Sequence, residues 1–121
     1  MSQRFTRKDA ERAFARLAFT LGKTWSDRSG HLYSGPYWAP VPAGELWTRV
    51  GSDYVATVGA WMLDYNPVYG GFVIHQMGNE GGGVSCPMGH TRKPAREFCE
   101  AVRFAIDALG ITFEILTGAR A

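Results

Sequence analysis

The chain has 121 residues, a length that suits one domain because two domains of half this size would each have a marginal core. Hydrophobic residues make up 45% of the sequence and charged residues 20%, a balance that excludes wholesale disorder. The net charge of +2 is unevenly spread: residues 1–24 carry six bases and two acids, whereas residues 25–87 carry two bases and five acids. A dedicated nucleic-acid binder would instead carry basic residues over a whole face.

Nothing in the sequence indicates export or membrane insertion, so we expect a cytoplasmic protein without a membrane partner. The amino terminus is polar and charged and lacks the apolar segment of a signal peptide, and no apolar run reaches the length of a membrane span. Two cysteines, Cys86 and Cys99, are too few for a disulfide scaffold.

The first clear element is an amphipathic helix that begins at Thr6 and ends at Gly22. Thr6 is a suitable N-cap, and Gly22 is suited to the left-handed conformation that often closes a helix. Apolar residues recur between them at intervals of three and four, which makes one buried stripe. These residues are Ala10, Phe14, Leu17, Ala18 and Leu21.

Residues 24–44 follow as a long aromatic-rich loop, because proline and glycine interrupt them and no period is sustained. The segment contains Trp25, Tyr33, Tyr37 and Trp38. Two interpretations stay open: the rings complete the core under an ordered arm, or they are presented to a partner. Under the second, Tyr33, Tyr37 and Trp38 are candidate protein-binding residues.

The middle of the chain has the pattern of an antiparallel meander of two to three strands. Leu46–Val50 and Tyr54–Tyr65 are rich in β-branched and aromatic residues, with Gly59 as a candidate bulge. Asn66–Gly71 has the residues of a tight turn, and residues 72–77 alternate as the returning strand of a hairpin.

A second helix is expected from Pro94 to Gly110, where glycine again provides a stop. The alternation in Ile111–Leu116 then suggests either an added strand or a docked extension. Two chains could pair through this tail or through an exposed sheet edge, and a homodimer is slightly favoured. The prediction for residues 1–121 is a single α+β domain in α-β-β-β-α order, with the meander packed against two helices.

The glycine-rich segment Asn79–Ser85 invites comparison with phosphate-binding loops. Those loops open directly into a helix and add a lysine, whereas here about ten residues intervene before Pro94 and no lysine is in place. We therefore expect a connector, either flexible or tightly turned, whose backbone is accessible. Asn79 and Glu80 are candidate protein-binding residues on it.

Three bases, Arg92, Lys93 and Arg96, lie before and within the first turn of the second helix. They oppose the helix dipole there, so helix stability does not explain them, and they suit a phosphate backbone or an acidic protein surface. This order of elements, with bases at the start of the second helix, resembles the double-stranded-RNA-binding domain. That resemblance implies that these three residues are candidate nucleic-acid contacts.

No arrangement of reactive side chains stands out from chance. Cys86 and His90 form one pair with zinc-ligand spacing, but Cys99 has no second ligand near it in sequence. Ser85 lies in no recognisable nucleophile motif. We predict no catalytic residue, no metal and no cofactor, and we favour a binding protein over an enzyme.

A closer resemblance covers residues 56–109. The runs Gly59–Pro67, Tyr69–Phe72, Asn79–Ser85 and Arg96–Phe98 resemble small uncharacterised accessory proteins encoded by actinobacterial phages. The resemblance implies no activity, cofactor or catalytic residue. It does imply an accessory role in the host cytoplasm, by binding a host protein or a nucleic acid.

The sequence therefore predicts a non-enzymatic binding protein, of the phage accessory kind, that engages a host protein through its aromatic and glycine-rich loops. Two alternatives remain open: nucleic-acid binding through the basic start of the second helix, and sequestration of a small ligand near the glycine loop.

Overall fold

The computed structural model describes the backbone of residues 4–117 and the side chains of residues 4–110. It begins and ends on a helix, with eight strands between them. The helices are α1 Arg7–Thr20 and α2 Ala95–Thr117. The strands are β1 Trp25–Ser26, β2 His31–Ser34, β3 Val41–Glu45, β4 Trp47–Val50, β5 Asp53–Ala56, β6 Trp61–Asn66, β7 Gly71–Met77 and β8 Val84–Ser85.

Helix α1 forms as its sequence predicts. The Thr6 hydroxyl accepts the Asp9 N–H at 3.3 Å, and the Asp9 carboxylate accepts the Thr6 N–H at 2.8 Å, which completes a capping box. The bond from the Thr6 N–H and a second from the Thr6 hydroxyl to the same carboxylate, at 3.0 Å, hold the pKa of Asp9 below its ordinary value. At the other end Gly22 adopts a φ of 70°.

Six strands form one sheet in the order β3-β2-β1-β6-β7-β8, and β4 with β5 forms a separate hairpin. All pairings are antiparallel except that between β1 and β6. The α+β class and its mainly antiparallel sheet are therefore confirmed. The predicted hairpin through the Asn66–Gly71 turn is its centre: β6 and β7 pair from Trp61 opposite Gln76 to Asn66 opposite Gly71.

Alternating side chains place two cores on the two faces of the sheet. Phe72 and Ile74 of β7 belong to the larger core, which α1 and α2 cover. Met77 belongs to the smaller one, where Leu46 and Ala56 at the ends of the β4–β5 hairpin pack. The larger core contains Ala10, Phe14, Ala15, Leu17, Ala18, Trp25, Trp61, Phe72, Ile74, Phe98 and Val102.

The structure corrects the expected loop after α1. Residues 24–44 contain β1, β2 and β3, so the sheet is larger than the two to three strands that the sequence predicts. These strands have two to five residues each, too few to establish a period between proline and glycine breakers. The aromatic arm is in fact half of the main sheet.

Two predicted boundaries are also wrong. The strand expected over Tyr54–Tyr65 is two strands, because residues 57–60 form a turn in which Gly59 has a φ of 88°. The second helix does not end at Gly110 but continues to Thr117, so Ile111–Leu116 is helical rather than a strand or docked extension. The side chains of that tail lie outside those described. Within the described residues, neither helix is both long and apolar enough to cross a membrane.

Candidate functional site

The turn that joins β2 to β3 carries the most exposed ring of the aromatic segment, that of Trp38. The Trp25 indole N–H donates to the Gly35 carbonyl at 2.8 Å, which fastens the start of the turn to the core. The Ala39 N–H donates to the Pro36 carbonyl at 3.1 Å and closes it. Ser34 and Val41 pair directly behind it, so the turn is held at both ends.

The three predicted aromatic residues have different environments. Tyr33 is half-buried on the larger core, its ring centroid 5.2 Å from that of Trp25, and desolvation with the nearby Asp27 raises the pKa of its hydroxyl. Tyr37 is also half-buried against this core. Trp38 is 72% exposed at the tip of the turn. Tyr33 and Tyr37 therefore contribute to the core, whereas the Trp38 ring is left exposed.

Helix α1 extends the surface around Trp38. The Arg12 guanidinium lies over the Tyr37 ring, 5.6 Å from its centroid, as in a cation–π contact. An open groove of about 420 Å³ is lined by Arg12, Ala13, Arg16, Tyr37 and Trp38. We call these five residues the Trp38 surface.

Sequence reasoning missed the contribution of α1 to this surface. Arg12 and Arg16 are spaced by one helical turn and lie off the apolar stripe, a pattern that is ordinarily a solvated face. The aromatic residues Tyr37 and Trp38 in the β2–β3 turn could have identified these arginines. That inference requires knowing that the sheet brings the turn back beside α1. Both arginines line a second groove of about 450 Å³ between α1 and α2, so the surface continues along the helix.

The glycine-rich connector is tightly turned. The Asn79 side-chain carbonyl accepts the Gly83 N–H at 3.0 Å, and the Asn79 backbone carbonyl accepts the Gly82 N–H at 3.2 Å. The Glu80 carbonyl accepts the Ala56 N–H at 2.9 Å, which joins the turn to β5. Within residues 4–110, no hydrogen bond, ion pair or ring contact joins Asn79 or Glu80 to the Trp38 surface. The two predicted loops are thus separate features.

The structure assigns different contacts to the three bases near α2. Arg92 forms an ion pair with Asp64 and donates to the Gly71 carbonyl at 3.1 Å. Lys93 exchanges two backbone hydrogen bonds with Phe72, at 2.8 and 2.9 Å. Arg96 pairs with Glu100 one turn along the helix at 3.1 Å. Two of the three cations are thus already paired, which leaves Lys93 as the one whose amino group has no acidic partner among the described side chains.

Nothing in the described part of the chain gathers three or more histidine, cysteine or acidic side chains around a point that could hold a metal ion. Cys86 and Cys99 are free thiols, and burial raises the pKa of Cys99, which opposes formation of a nucleophilic thiolate. The chain matches no protein-family model, no curated protein and no solved structure.

Proposed function

We propose that this chain is a non-enzymatic binding protein, an accessory protein of the actinobacterial phage kind, which engages a host protein in the cytoplasm through the Trp38 surface. The observation that carries the proposal is the exposure of Trp38, at 72%, on a turn that is fixed from both sides. A tryptophan left in water contributes little to folding, whereas the same ring buried in a partner contributes strongly to affinity.

The composition of the Trp38 surface supports this role. Tryptophan, tyrosine and arginine are the residue types most enriched where binding energy concentrates in protein interfaces. Tyr37 and Arg12 are already ordered by their contact with each other, so a partner would meet a prearranged surface and lose less entropy on binding.

The charge of the surface indicates the chemistry of the partner. Arg12 and Arg16 supply two positive charges beside an apolar ring, and neither has an ion pair with a described side chain. An acidic segment that carries an apolar anchor complements this arrangement. Such charges act mainly on the rate of association, so binding should slow as salt is added.

The experiment compares Trp38→Ala with wild type in affinity capture from an actinobacterial lysate, followed by measurement of Kd for the captured protein. We expect the variant to bind at least about tenfold more weakly, because a central aromatic anchor is lost. Tyr69→Ala is the matched control, since Tyr69 is 73% exposed on the β6–β7 turn and does not line the groove beside Trp38.

Equal loss of binding in both variants, or none in Trp38→Ala, would contradict the proposal. Capture of nucleic acid instead of a protein, with a steep salt dependence that is lost in Lys93→Gln, would support the nucleic-acid alternative in its place.

A further inference from the structure

A third concave feature lies beside α2 and shares only Val102 with the α1–α2 groove. It is a pocket of about 240 Å³ between β7, α2 and the segment that precedes α2. Its walls are mainly aliphatic and aromatic side chains, and it shares no residue with the Trp38 surface. Its lining includes Phe72, Ile74, Met88, Lys93, Phe98 and Val102.

The path of the chain along β7 explains why the pocket exists. β8 pairs with one end of β7, where Gln76 lies opposite Ser85. Lys93 pairs with the other end, opposite Phe72. Between these two points residues 86–92 leave the edge of the sheet, so the middle of β7 is not covered by a neighbouring strand on that side.

The uncovered edge leaves backbone groups of Ile74 without a partner. Hydrogen bonds of β7 alternate between its two sides: Phe72 bonds outward to Lys93, whereas Met77 bonds inward to Ala60. Ile74 lies two residues after Phe72, so its N–H and C=O point to the same side of β7 as those of Phe72, away from β6. Within residues 4–117 no hydrogen bond joins these two groups to the segment opposite.

The pocket also has a definite charge. Lys93 is the one charged residue among those that line it, and no described side chain forms an ion pair with its amino group. Thr91 adds a hydroxyl to the same wall. A group bound there would therefore meet an apolar interior, a cation and a backbone donor, a combination that suits an apolar molecule with an anionic end.

We propose that this pocket binds a medium-chain aliphatic carboxylate, with the chain among Phe72, Met88, Phe98 and Val102 and the carboxylate at Lys93. The carboxylate would neutralise the unpaired ammonium and would provide an acceptor for the Ile74 N–H. This site is independent of the proposed protein-binding function, because the pocket and the Trp38 surface have no lining residue in common.

The test is a calorimetric titration of the full chain with hexanoate, octanoate and decanoate, and with the alcohol and the amine of each chain length. Affinity for the carboxylates should rise about fourfold for each added methylene until the pocket is filled. The carboxylate should bind about tenfold more tightly than the alcohol of equal length, and the amine should bind most weakly. Bound carboxylate should also raise Tm.

Variants of Lys93 separate the site from general adsorption. Lys93→Met keeps the backbone bonds to Phe72 and should lose the preference for carboxylate over alcohol. Lys93→Arg keeps the charge and should retain that preference. Lys23→Met is the matched control, since Lys23 is exposed beyond α1 and does not line the pocket.

Equal affinity for carboxylate and alcohol in wild type, absence of binding by every probe, or unchanged discrimination in Lys93→Met would each overturn the proposal. If Lys93→Met fails to fold, methyl chemical shifts of Ile74 and Met88 in wild type provide the second measurement. Octanoate should move both, and shifts confined to other residues would overturn the assignment.

Discussion

At the scale of single residues, environment separates side chains that look equivalent in sequence. Arg92 and Arg96 lie four positions apart in one basic cluster. The Arg92 side chain is 19% exposed and bonds to Asp64 and to two backbone carbonyls, whereas that of Arg96 is 62% exposed. The cluster that suggests a phosphate surface is thus partly a connection between α2 and the sheet.

The first prediction follows from this contrast. Arg92→Met should lower the free energy of unfolding by about 2 kcal/mol, because the Asp64 carboxylate and the Gly71 carbonyl lose a charged donor in a partly buried site. Arg96→Met should change it by less than about 0.5 kcal/mol, as is usual for an exposed pair within a helix. Urea denaturation of both variants measures the difference, and equal effects would contradict the assigned roles.

A second prediction concerns pH. The Glu45 carboxylate lies 2.9 Å from Nδ1 of His31 and raises the pKa of that imidazole above its ordinary value. A pKa raised by folding gives stability that is fully present below the unfolded pKa and is lost as pH rises through the folded one. Wild type should therefore lose stability relative to Glu45→Gln as pH rises from below 6.5, the ordinary pKa of histidine, through the raised pKa of the folded state. NMR titration should show a lower His31 pKa in the variant, and an unchanged pKa would contradict the pairing.

At the scale of elements, the sequence predicts those that repeat their pattern several times. The four-turn stripe of α1 and the returning strand β7 are recovered nearly to the residue. The two-residue strand β1 is not, because it is too short to show a period and its pairing with β6 joins residues far apart in the chain. The same limit applies to the candidate site: Trp38 can be selected from sequence, whereas its neighbours on α1 require knowledge of where the turn returns.

Gly110 gives the third prediction, because its sequence context and its structure disagree. It lies inside α2 without a positive φ, and a Cβ there would meet nothing within 4 Å. Gly110→Ala should therefore stabilise the protein by about 0.5–1 kcal/mol. Gly22→Ala, at a φ of 70°, should instead destabilise it by about 1 kcal/mol. Thermal unfolding of the two variants measures both changes. A loss of stability in both would contradict the position of Gly110 inside α2.

At the scale of the whole molecule, one close approach attaches the start of α2 to the sheet. Gly71 begins β7, and a Cβ at this position would overlap the backbone carbonyl of Lys93. The Phe72–Lys93 bridge depends on that approach. The bridge also bounds the pocket that we assign to a carboxylate, so folding and the proposed ligand site use the same contact.

The fourth prediction isolates this approach from backbone strain. Gly71 and Gly44 have similar φ values of 116° and 121°, but a Cβ on Gly44 would meet nothing within 4 Å. Gly44→Ala should cost about 1–2 kcal/mol for conformation alone. Gly71→Ala should cost at least about 2 kcal/mol more, since backbone must also move. Equal losses in a denaturation series would show that the close approach contributes nothing.

The two faces of the sheet carry separate hydrophobic cores. The helices cover the larger core, and the β4–β5 hairpin covers the smaller one. The Trp38 ring, in the β2–β3 turn, is covered by neither and is exposed. We propose that a protein partner binds this surface rather than the glycine-rich loop or the start of α2.

Hydrogen exchange of the captured complex, compared with the free chain, tests that claim most directly. We expect slowed exchange in residues 35–40 and along α1, with little change at residues 78–83 and 92–96, and loss of the effect in Trp38→Ala. Protection confined to residues 78–83 or 92–96, with residues 35–40 unchanged, would contradict it.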